Sequence, residues 1–156
     1  MSKNQMPFTG GCLCGAIRYE SSEAPVEAGT CHCRTCQKST GSAFMAIASF
    51  SRTALRFTRG EPKLYRSSSV MDKGFCPNCG SLLFDQYLVR SPGFNPDMVF
   101  IQLGTLDHPE AVSIDWHYGV ETQLPWVHFD DDLPRTRCNE DPELAVAFEA
   151  AEAGEE

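Results

Sequence analysis

The chain has 156 residues, of which 42% are hydrophobic and 22% are charged, and these values fit one globular domain with a hydrophobic core. No apolar run approaches the roughly 20 residues that span a bilayer, so a membrane-spanning helix is not expected. The net charge of -8 is uneven, because residues 1–90 carry eleven Lys and Arg against six Asp and Glu, whereas residues 91–156 carry two against fifteen. The acidic second half argues against a nucleic-acid partner.

The first twelve residues, MSKNQMPFTGGC, contain no apolar stretch typical of a signal peptide. We therefore expect a cytoplasmic protein, whose thiols stay reduced. In that compartment the eight cysteines are better interpreted as metal ligands than as disulfides.

The body of the chain predicts many short strands, separated by glycine and proline, and therefore a mainly β fold in a single domain. Alternating and β-rich stretches carry this signal, as in GAIRYE and DMVFIQLG. The segment SSEAPVEAG, residues 21–29, predicts a connector. In chain order, the predicted strands are residues 15–20, 42–50, 54–58, 63–66, 81–87, 97–104, 111–119 and 125–131.

The two ends differ from this body. Residues 1–9 form a leader, and residues 137–156 form an acidic tail, either helical or disordered, on either side of a domain at 10–136. A helix in the tail is favoured because Asp141 can cap it, Pro142 suits its first position, and helix-forming residues follow.

The cysteines fall into three local groups and one single residue. Cys12 and Cys14 form a CxC pair, and Cys76 and Cys79 form a CPxCG motif. Gly80 in that motif permits the positive φ that such tight turns need. A third group, Cys31, Cys33 and Cys36, lies within the six residues CHCRTC, and Cys138 stands alone.

A structural zinc needs four ligands, so the CxC and CPxCG pairs together could complete one site. The CHCRTC group would then supply three ligands and leave an open position, as in catalytic zinc sites. This division into four and three uses each local group as a unit. The alternative joins Cys31 and Cys33 to one of the pairs and leaves other thiols over.

Four histidines are possible fourth ligands of the three-cysteine group. His32 should face away from a metal held by Cys31 and Cys33, because alternate side chains of an extended segment point in opposite directions. His108, His117 and His128 are better placed because they come from distant segments. Cys138 is interpreted as a free thiol. Six cations could offset thiolate charge or attract an anionic small molecule, namely Arg18, Arg34, Lys38, Lys63, Arg66 and Lys73.

A redox role for the CPxCG motif is disfavoured. Thioredoxin-like CxxC motifs begin a helix in a βαβ unit. Here SLLFDQY follows Gly80 and predicts a strand.

Three stretches, GCLCGAIRYE, CHCRTCQKSTGSAF and KGFCPNCGSLLF, resemble the glutathione-dependent formaldehyde-activating enzyme family. FIQLGTLDHPE and WVHFDDDLP resemble the closing segments of the same family, so the resemblance runs from about Gly10 to Pro134. It implies an Mss-four-like β fold and two zinc ions per chain. The structural zinc would be held by Cys12, Cys14, Cys76 and Cys79, and the catalytic-type zinc by Cys31, Cys33 and Cys36.

The resemblance also implies carbon–sulfur lyase chemistry, in which formaldehyde and glutathione are joined as S-hydroxymethylglutathione. The substrate thiol could bind the open zinc position, or the zinc could polarise the aldehyde carbonyl or bind hydroxide. Two alternatives remain: a zinc-stabilised binding module without turnover, and a metal-holding or regulatory protein whose second zinc is closed by a histidine. The oligomeric state is not predicted.

Overall fold

The computed structural model describes residues 8–154 of the chain. They form eleven strands, two α-helices and four short 3-10 turns, so the mainly β fold is confirmed. The helices are α1 (Arg34–Thr40) and α2 (Pro142–Ala153). The strands are β1 (Phe8–Gly11), β2 (Arg18–Ser21), β3 (Glu27–Cys31), β4 (Met45–Ser51), β5 (Leu55–Arg59), β6 (Lys63–Ser68), β7 (Met71–Phe75), β8 (Leu82–Tyr87), β9 (Met98–Gln102), β10 (Trp116–Tyr118) and β11 (Arg135–Thr136).

The strands build two sheets. The smaller sheet has the order β1-β2-β5 and is antiparallel throughout. The larger sheet has eight strands in the order β11-β10-β3-β4-β9-β8-β7-β6. It is antiparallel except at β10, which runs parallel to both β3 and β11. No helix in residues 8–154 is long and apolar enough to span a membrane.

The main core contains buried side chains of both sheets. Ile17 and Tyr19 come from the smaller sheet or the turn before it, and they cluster with Ala48, Phe50 and other residues of the larger sheet. Because side chains alternate along a strand, the neighbouring β4 residues face the opposite side of the larger sheet. That opposite face carries a separate cluster of Cys31, Met45 and Ile47, and it is the face on which the candidate site lies.

Several segments differ from the sequence predictions, and the strand predicted at 111–119 is strand β10 over Trp116–Tyr118 alone. The prediction of a connector over residues 21–29 is wrong at the C-terminal end of that range, because strand β3 begins at Glu27. Its small residues are explained by packing: a Cβ at Gly29 would lie 2.3 Å from the ring of Trp116 on the adjacent strand β10. The strand predicted at 125–131 is also wrong. This segment starts at a proline, which has no N–H to donate, and is a turn followed by irregular chain.

Helix α1 was not predicted, because its seven residues, RTCQKST, show no apolar periodicity. It begins after Cys33, whose thiol accepts a hydrogen bond from the backbone N–H of Cys36 at 3.4 Å. It ends at Gly41, which has a left-handed φ of 64°. This short helix therefore owes its position to tertiary contacts more than to helix propensity.

Helix α2 confirms the helix predicted for the acidic tail. Its N-cap is Asp141, whose side chain accepts a hydrogen bond from the backbone N–H of Glu143 at 3.0 Å. Ala147 and Ala151 are buried against Val70 and Phe94. The helix is thus packed on the β body, and its small side chains permit the close approach.

Candidate metal and thiol sites

The first candidate centre joins two turns that are far apart in the sequence. Cys12 and Cys14 lie between β1 and β2, whereas Cys76 and Cys79 lie between β7 and β8. Their four sulfur atoms lie within 4.8 Å of one another. The Sγ atoms of Cys12 and Cys14 are 3.6 Å apart, and those of Cys14 and Cys76 are 3.9 Å apart. Tetrahedral zinc with bonds of about 2.3 Å separates its sulfur ligands by about 3.8 Å, so the residues fit a zinc ion.

The two turns share one local geometry. A backbone N–H points at the first sulfur of each, from Ile17 to Cys12 at 3.2 Å and from Cys79 to Cys76 at 3.5 Å. Each turn also contains a glycine of positive φ, 77° at Gly15 and 78° at Gly80. The prediction of positive φ at Gly80 is confirmed, and N–H donors of this kind stabilise thiolate ligands.

Two thiols of this group, Cys79 and Cys76, differ in acidity. A hydrogen bond from the Ser81 side chain lowers the pKa of Cys79 to about 5, whereas burial raises the pKa of Cys76 to about 11. Ser81 also accepts a hydrogen bond from the backbone N–H of Leu13, so it links the two turns directly. With both kinds of thiol in one group, a bound cation would be needed to hold all four as thiolates.

The second candidate centre lies on the other face of the larger sheet. Cys31 ends β3, Cys33 caps α1, and Cys36 lies in the first turn of that helix. Their sulfur atoms lie within 4.8 Å of one another, and no other His, Cys, Asp or Glu among residues 8–154 joins the group. The structure therefore brings the cysteines together as four and three, and it does not pair Cys31 and Cys33 with either distant motif.

The three thiols form one coupled acid–base group. Hydrogen bonds from the Cys31 and Cys36 thiols lower the pKa of Cys33 to about 2. The same contacts with Cys33 raise the pKa of Cys31 to about 12, and the pKa of Cys36 is raised as well. A divalent cation held by the three sulfur atoms would favour the thiolate form of each of them.

His32 lies between two of these cysteines and faces away from them, as predicted. Its fully buried ring contacts Phe44 and Phe129, and its Nε2 lies 3.0 Å from Thr30 Oγ1. Thr30 Oγ1 in turn lies 2.6 Å from His117 Nδ1.

The other histidines do not join either group of thiols in the described part of the chain. His117 is buried and pairs with Asp131, with Nε2 and Oδ2 3.0 Å apart. His108 is exposed and lies 3.1 Å from Glu110, and His128 is exposed. None of the three is placed as a fourth ligand.

Cys138 is half-buried, and its backbone N–H donates to the Glu121 carboxylate at 3.0 Å. Burial, with the charges of Glu121 and Cys33, raises the pKa of the Cys138 thiol to about 12. Cys138 is thus a neutral thiol. The sequence did not predict its position near the three-cysteine group.

The predicted cations are distributed differently from the sequence expectation. Arg18 is paired with Asp107, and Arg66 with Asp72, so their charge is already neutralised. Lys73 makes a buried ion pair with Asp85 at 2.8 Å. Lys38 and Lys73 line a cavity of about 550 Å³ beside α1. The cavity is one feature that the sequence did not indicate, because its lining comes from separate elements.

The fold and the two thiol groups define a mainly β protein with two candidate metal centres, one of four donors and one of three. The sequence profile of the family described as glutathione-dependent formaldehyde-activating enzyme matches residues 7–120, and the chain belongs to this family.

A protein of Schizosaccharomyces pombe described as an uncharacterized lyase is 34% identical over 109 residues, which are 69% of this chain and 79% of that protein. A crystal structure of a Rhodobacter sphaeroides protein has a TM-score of 0.50 and 23% identity, covering 82% of this chain and 99% of that one. This second likeness supports the fold alone. The family and the lyase-named relative together support a lyase as the class of enzyme.

Proposed function

We propose that the protein is a zinc-dependent carbon–sulfur lyase that joins a glutathione-like thiol and a small aldehyde, with formaldehyde as the first candidate. The reaction would take place at Cys31, Cys33 and Cys36, which would hold a catalytic-type zinc. Cys12, Cys14, Cys76 and Cys79 would hold a second, structural zinc. Membership of the family and the lyase-named relative support this proposal.

The observation that carries the proposal is the contrast between the two groups of thiols. One offers four sulfur donors, which is the complete set of a structural zinc site. The other offers three donors among the described residues, which is the set of a catalytic site that accepts water or a substrate. A cavity lies near this group, since its lining includes Thr35, which precedes Cys36 in α1, and Leu82, which packs against the cluster that contains Cys31.

The proposed reaction is an addition with no change of oxidation state. The substrate sulfur forms a bond to the aldehyde carbon, the π electrons of the carbonyl move to oxygen, and the thiol proton ends on that oxygen. Zinc held by three thiolates would lower the pKa of a fourth, substrate thiol and make it available as a thiolate. The protein residues hold the three donors in a fixed arrangement, because Cys31 ends a central strand and Cys33 caps a helix.

The proposal is tested by turnover and by zinc content. The purified protein should form S-hydroxymethylglutathione from ¹³C-formaldehyde and glutathione faster than the spontaneous reaction, as followed by NMR. Cys33→Ser should abolish this acceleration and reduce the zinc content from about two to about one per chain, with an unchanged circular dichroism spectrum. Cys138→Ser, the matched control, should keep both zinc ions and the activity.

Two results would contradict the proposal in different ways. Absence of acceleration by the intact protein would reject the aldehyde-plus-glutathione assignment and favour a zinc-stabilised binding module. Unfolding of Cys33→Ser would instead assign the three-cysteine group to structure.

We place this chemistry in the cytoplasm, where thiols stay reduced. All eight cysteines are free thiols, which supports that placement.

A further inference from the structure

The carbonyl group between Cys31 and Cys33 is held by two side chains from other parts of the chain. It belongs to His32, and its oxygen accepts a hydrogen bond from Gln37 Nε2 at 2.8 Å. The same oxygen accepts a second hydrogen bond from the Thr122 hydroxyl, also at 2.8 Å. A carbonyl oxygen has two lone pairs, so these two donors satisfy it completely. The peptide group that leads into Cys33 is therefore fixed in one orientation.

The side-chain amide of Gln37 has a partner for each of its polar atoms. Only 4% of this residue is exposed. Its Nε2 donates to the carbonyl oxygen of His32 and to that of Thr122, the latter at 3.0 Å. Its Oε1 accepts from the guanidinium group of Arg34. Because an arginine can only donate and a carbonyl can only accept, the amide cannot be reversed without losing all three contacts.

The segment that contains Thr122 lies directly against the thiol segment. The backbone N–H of His32 donates to the carbonyl oxygen of Tyr118 at 2.8 Å. Gly119 has a left-handed φ of 69°, and a Cβ on it would lie 2.7 Å from the backbone nitrogen of Cys33. The Thr122 hydroxyl has a single proton, and its contact with His32 is shorter than its other contact, with the Gly119 carbonyl at 3.2 Å. Both polar backbone groups of His32 are thus held by this segment.

These contacts control the thiols through the backbone. The direction in which the side chains of Cys31 and Cys33 point depends on the peptide groups that join them, and both of these residues offer a sulfur donor to the three-cysteine group. Neither hydrogen bond to the carbonyl oxygen of His32 involves a sulfur atom. Groups that orient metal ligands in this indirect way commonly change the affinity for the metal when they are removed.

We propose that Gln37 and Thr122 are positioning residues of the three-cysteine group. By holding the carbonyl group of His32, they keep the three sulfur atoms arranged to bind one metal ion. This inference rests on the proposed function for the presence of zinc at the three-cysteine group. It concerns the binding of the metal, so it is measured without turnover.

The binding test measures the affinity for the second zinc ion in solutions of buffered free zinc, with zinc content determined by atomic spectrometry. Gln37→Leu keeps the approximate size of the side chain and removes the amide, and it should weaken this affinity about 10–100-fold. Thr122→Val should weaken it about tenfold, at the lower end of the same range. Thr122→Ser keeps the hydroxyl and should bind the second zinc within about twofold of the wild type. The zinc ion of the four-cysteine group should be retained in every variant.

Cobalt(II) in place of zinc provides a spectroscopic signature, because its visible absorption depends on the geometry of its ligands. The difference spectrum of the second cobalt ion should change in Gln37→Leu and in Thr122→Val, whereas the spectrum of Thr122→Ser should match that of the wild type. A glutamine that only stabilised the fold would lower the Tm and leave this spectrum unchanged.

The matched control is Gln86→Leu. The Oε1 atom of Gln86 also accepts a hydrogen bond from an arginine, Arg52, at 3.2 Å. The substitution removes the same chemical group from β8, a strand that carries none of the three cysteines. It should leave the affinity for the second zinc within about twofold of the wild type, as expected for a group that does not orient a ligand.

The outcomes separate this inference from the proposed function. Wild-type affinity for the second zinc in folded Gln37→Leu and Thr122→Val would overturn the inference, even if the protein turns over its substrates. If Gln37→Leu does not fold, equal affinities of Thr122→Val and Thr122→Ser would overturn it instead. A wild type that binds two zinc ions without turnover, and loses the second more easily in these variants, would reject the reaction and support the inference. A wild type that binds a single zinc would overturn both.

Discussion

The buried histidines behind the CHCRTC segment form a hydrogen-bonded chain with one direction. The Asp131 carboxylate can only accept, so His117 donates to it from Nε2, and when its ring carries that one proton its Nδ1 accepts from the Thr30 hydroxyl. Thr30 then accepts from Nε2–H of His32. The Nδ1 atom of His32 then carries no proton. This atom is buried, and it has no hydrogen-bond partner among the described residues. Burial and the nearby His117 also lower the pKa of His32, which favours this neutral form.

At the residue scale we predict that Thr30→Val destabilises the protein by about 2–4 kcal/mol, since it orphans two buried ring nitrogens that cost about 1–3 kcal/mol each. Urea unfolding measures the loss. Thr53→Val, at an exposed hydroxyl bonded to Ser51, is the control and should change the free energy of unfolding by less than about 0.5 kcal/mol. In ¹⁵N NMR of the wild type, both His32 and His117 should carry the proton on Nε2; a proton on Nδ1 of either would contradict the chain.

At the element scale, helix α2 attaches the acidic C-terminal segment, in which it lies, to the larger sheet near the three-cysteine group. Asp141 caps this helix through one carboxylate oxygen and accepts a hydrogen bond from the Tyr118 hydroxyl through the other, at 2.6 Å. Tyr118 is the β10 residue paired with Cys31 of β3. The N-terminus of α2 is thereby tied to the strand beside the three-cysteine group.

We predict that Asp141→Ala lowers the free energy of unfolding by about 1–2 kcal/mol, because the helix loses its N-cap and Tyr118 loses its acceptor. Asp141→Asn should recover most of this loss, since asparagine is an equally good cap. Chemical unfolding of the three proteins gives the comparison. If Asp141→Ala is as stable as the wild type, the helix is not held by this cap.

At the scale of the whole molecule, the four-cysteine group joins the two sheets. It connects the β1–β2 turn of the smaller sheet to the β7–β8 turn of the larger one, across more than 60 positions of sequence. A zinc at this position would close that long loop in the native state, whereas a zinc on Cys31, Cys33 and Cys36 would close a local loop. The two centres should therefore differ in their contribution to stability.

We predict that Cys14→Ser, at an exposed thiol, unfolds the protein or lowers its Tm far more than Cys33→Ser does. Apparent binding free energies of structural zinc are about 10–16 kcal/mol at pH 7, which is comparable to the whole stability of a domain, about 5–15 kcal/mol. Thermal unfolding followed by circular dichroism measures both variants, with Cys138→Ser as reference. Equal Tm values for the two variants would remove the distinction between a structural and a catalytic-type centre.

Much of this protein was already determined by local sequence. The alternation of residues 15–20 and the apolar run at 97–104 predicted real strands, although each is shorter than its pattern. The helix of the acidic tail followed from its cap and its proline. The two cysteine pairs and the group of three followed from their spacing, since two or three thiols within a few residues can converge locally, whereas the two pairs meet in one group of four only through the tertiary structure.

Tertiary structure alone decided the rest. Helix α1 and strand β3 carry weak local signals, and they exist because Gln37 bonds to the backbone carbonyls of His32 and Thr122, and because β3 lies between two other strands. The cavity depends on bringing Lys38 of α1 and Lys73 of β7 to a common lining, which only the packing of the helix on the larger sheet can do. The spacing of residues along the chain determines which neighbouring residues can bind a ligand together. Contacts between distant elements depend instead on which faces of strands and helices are buried. A local sequence pattern does not say which faces pack against each other.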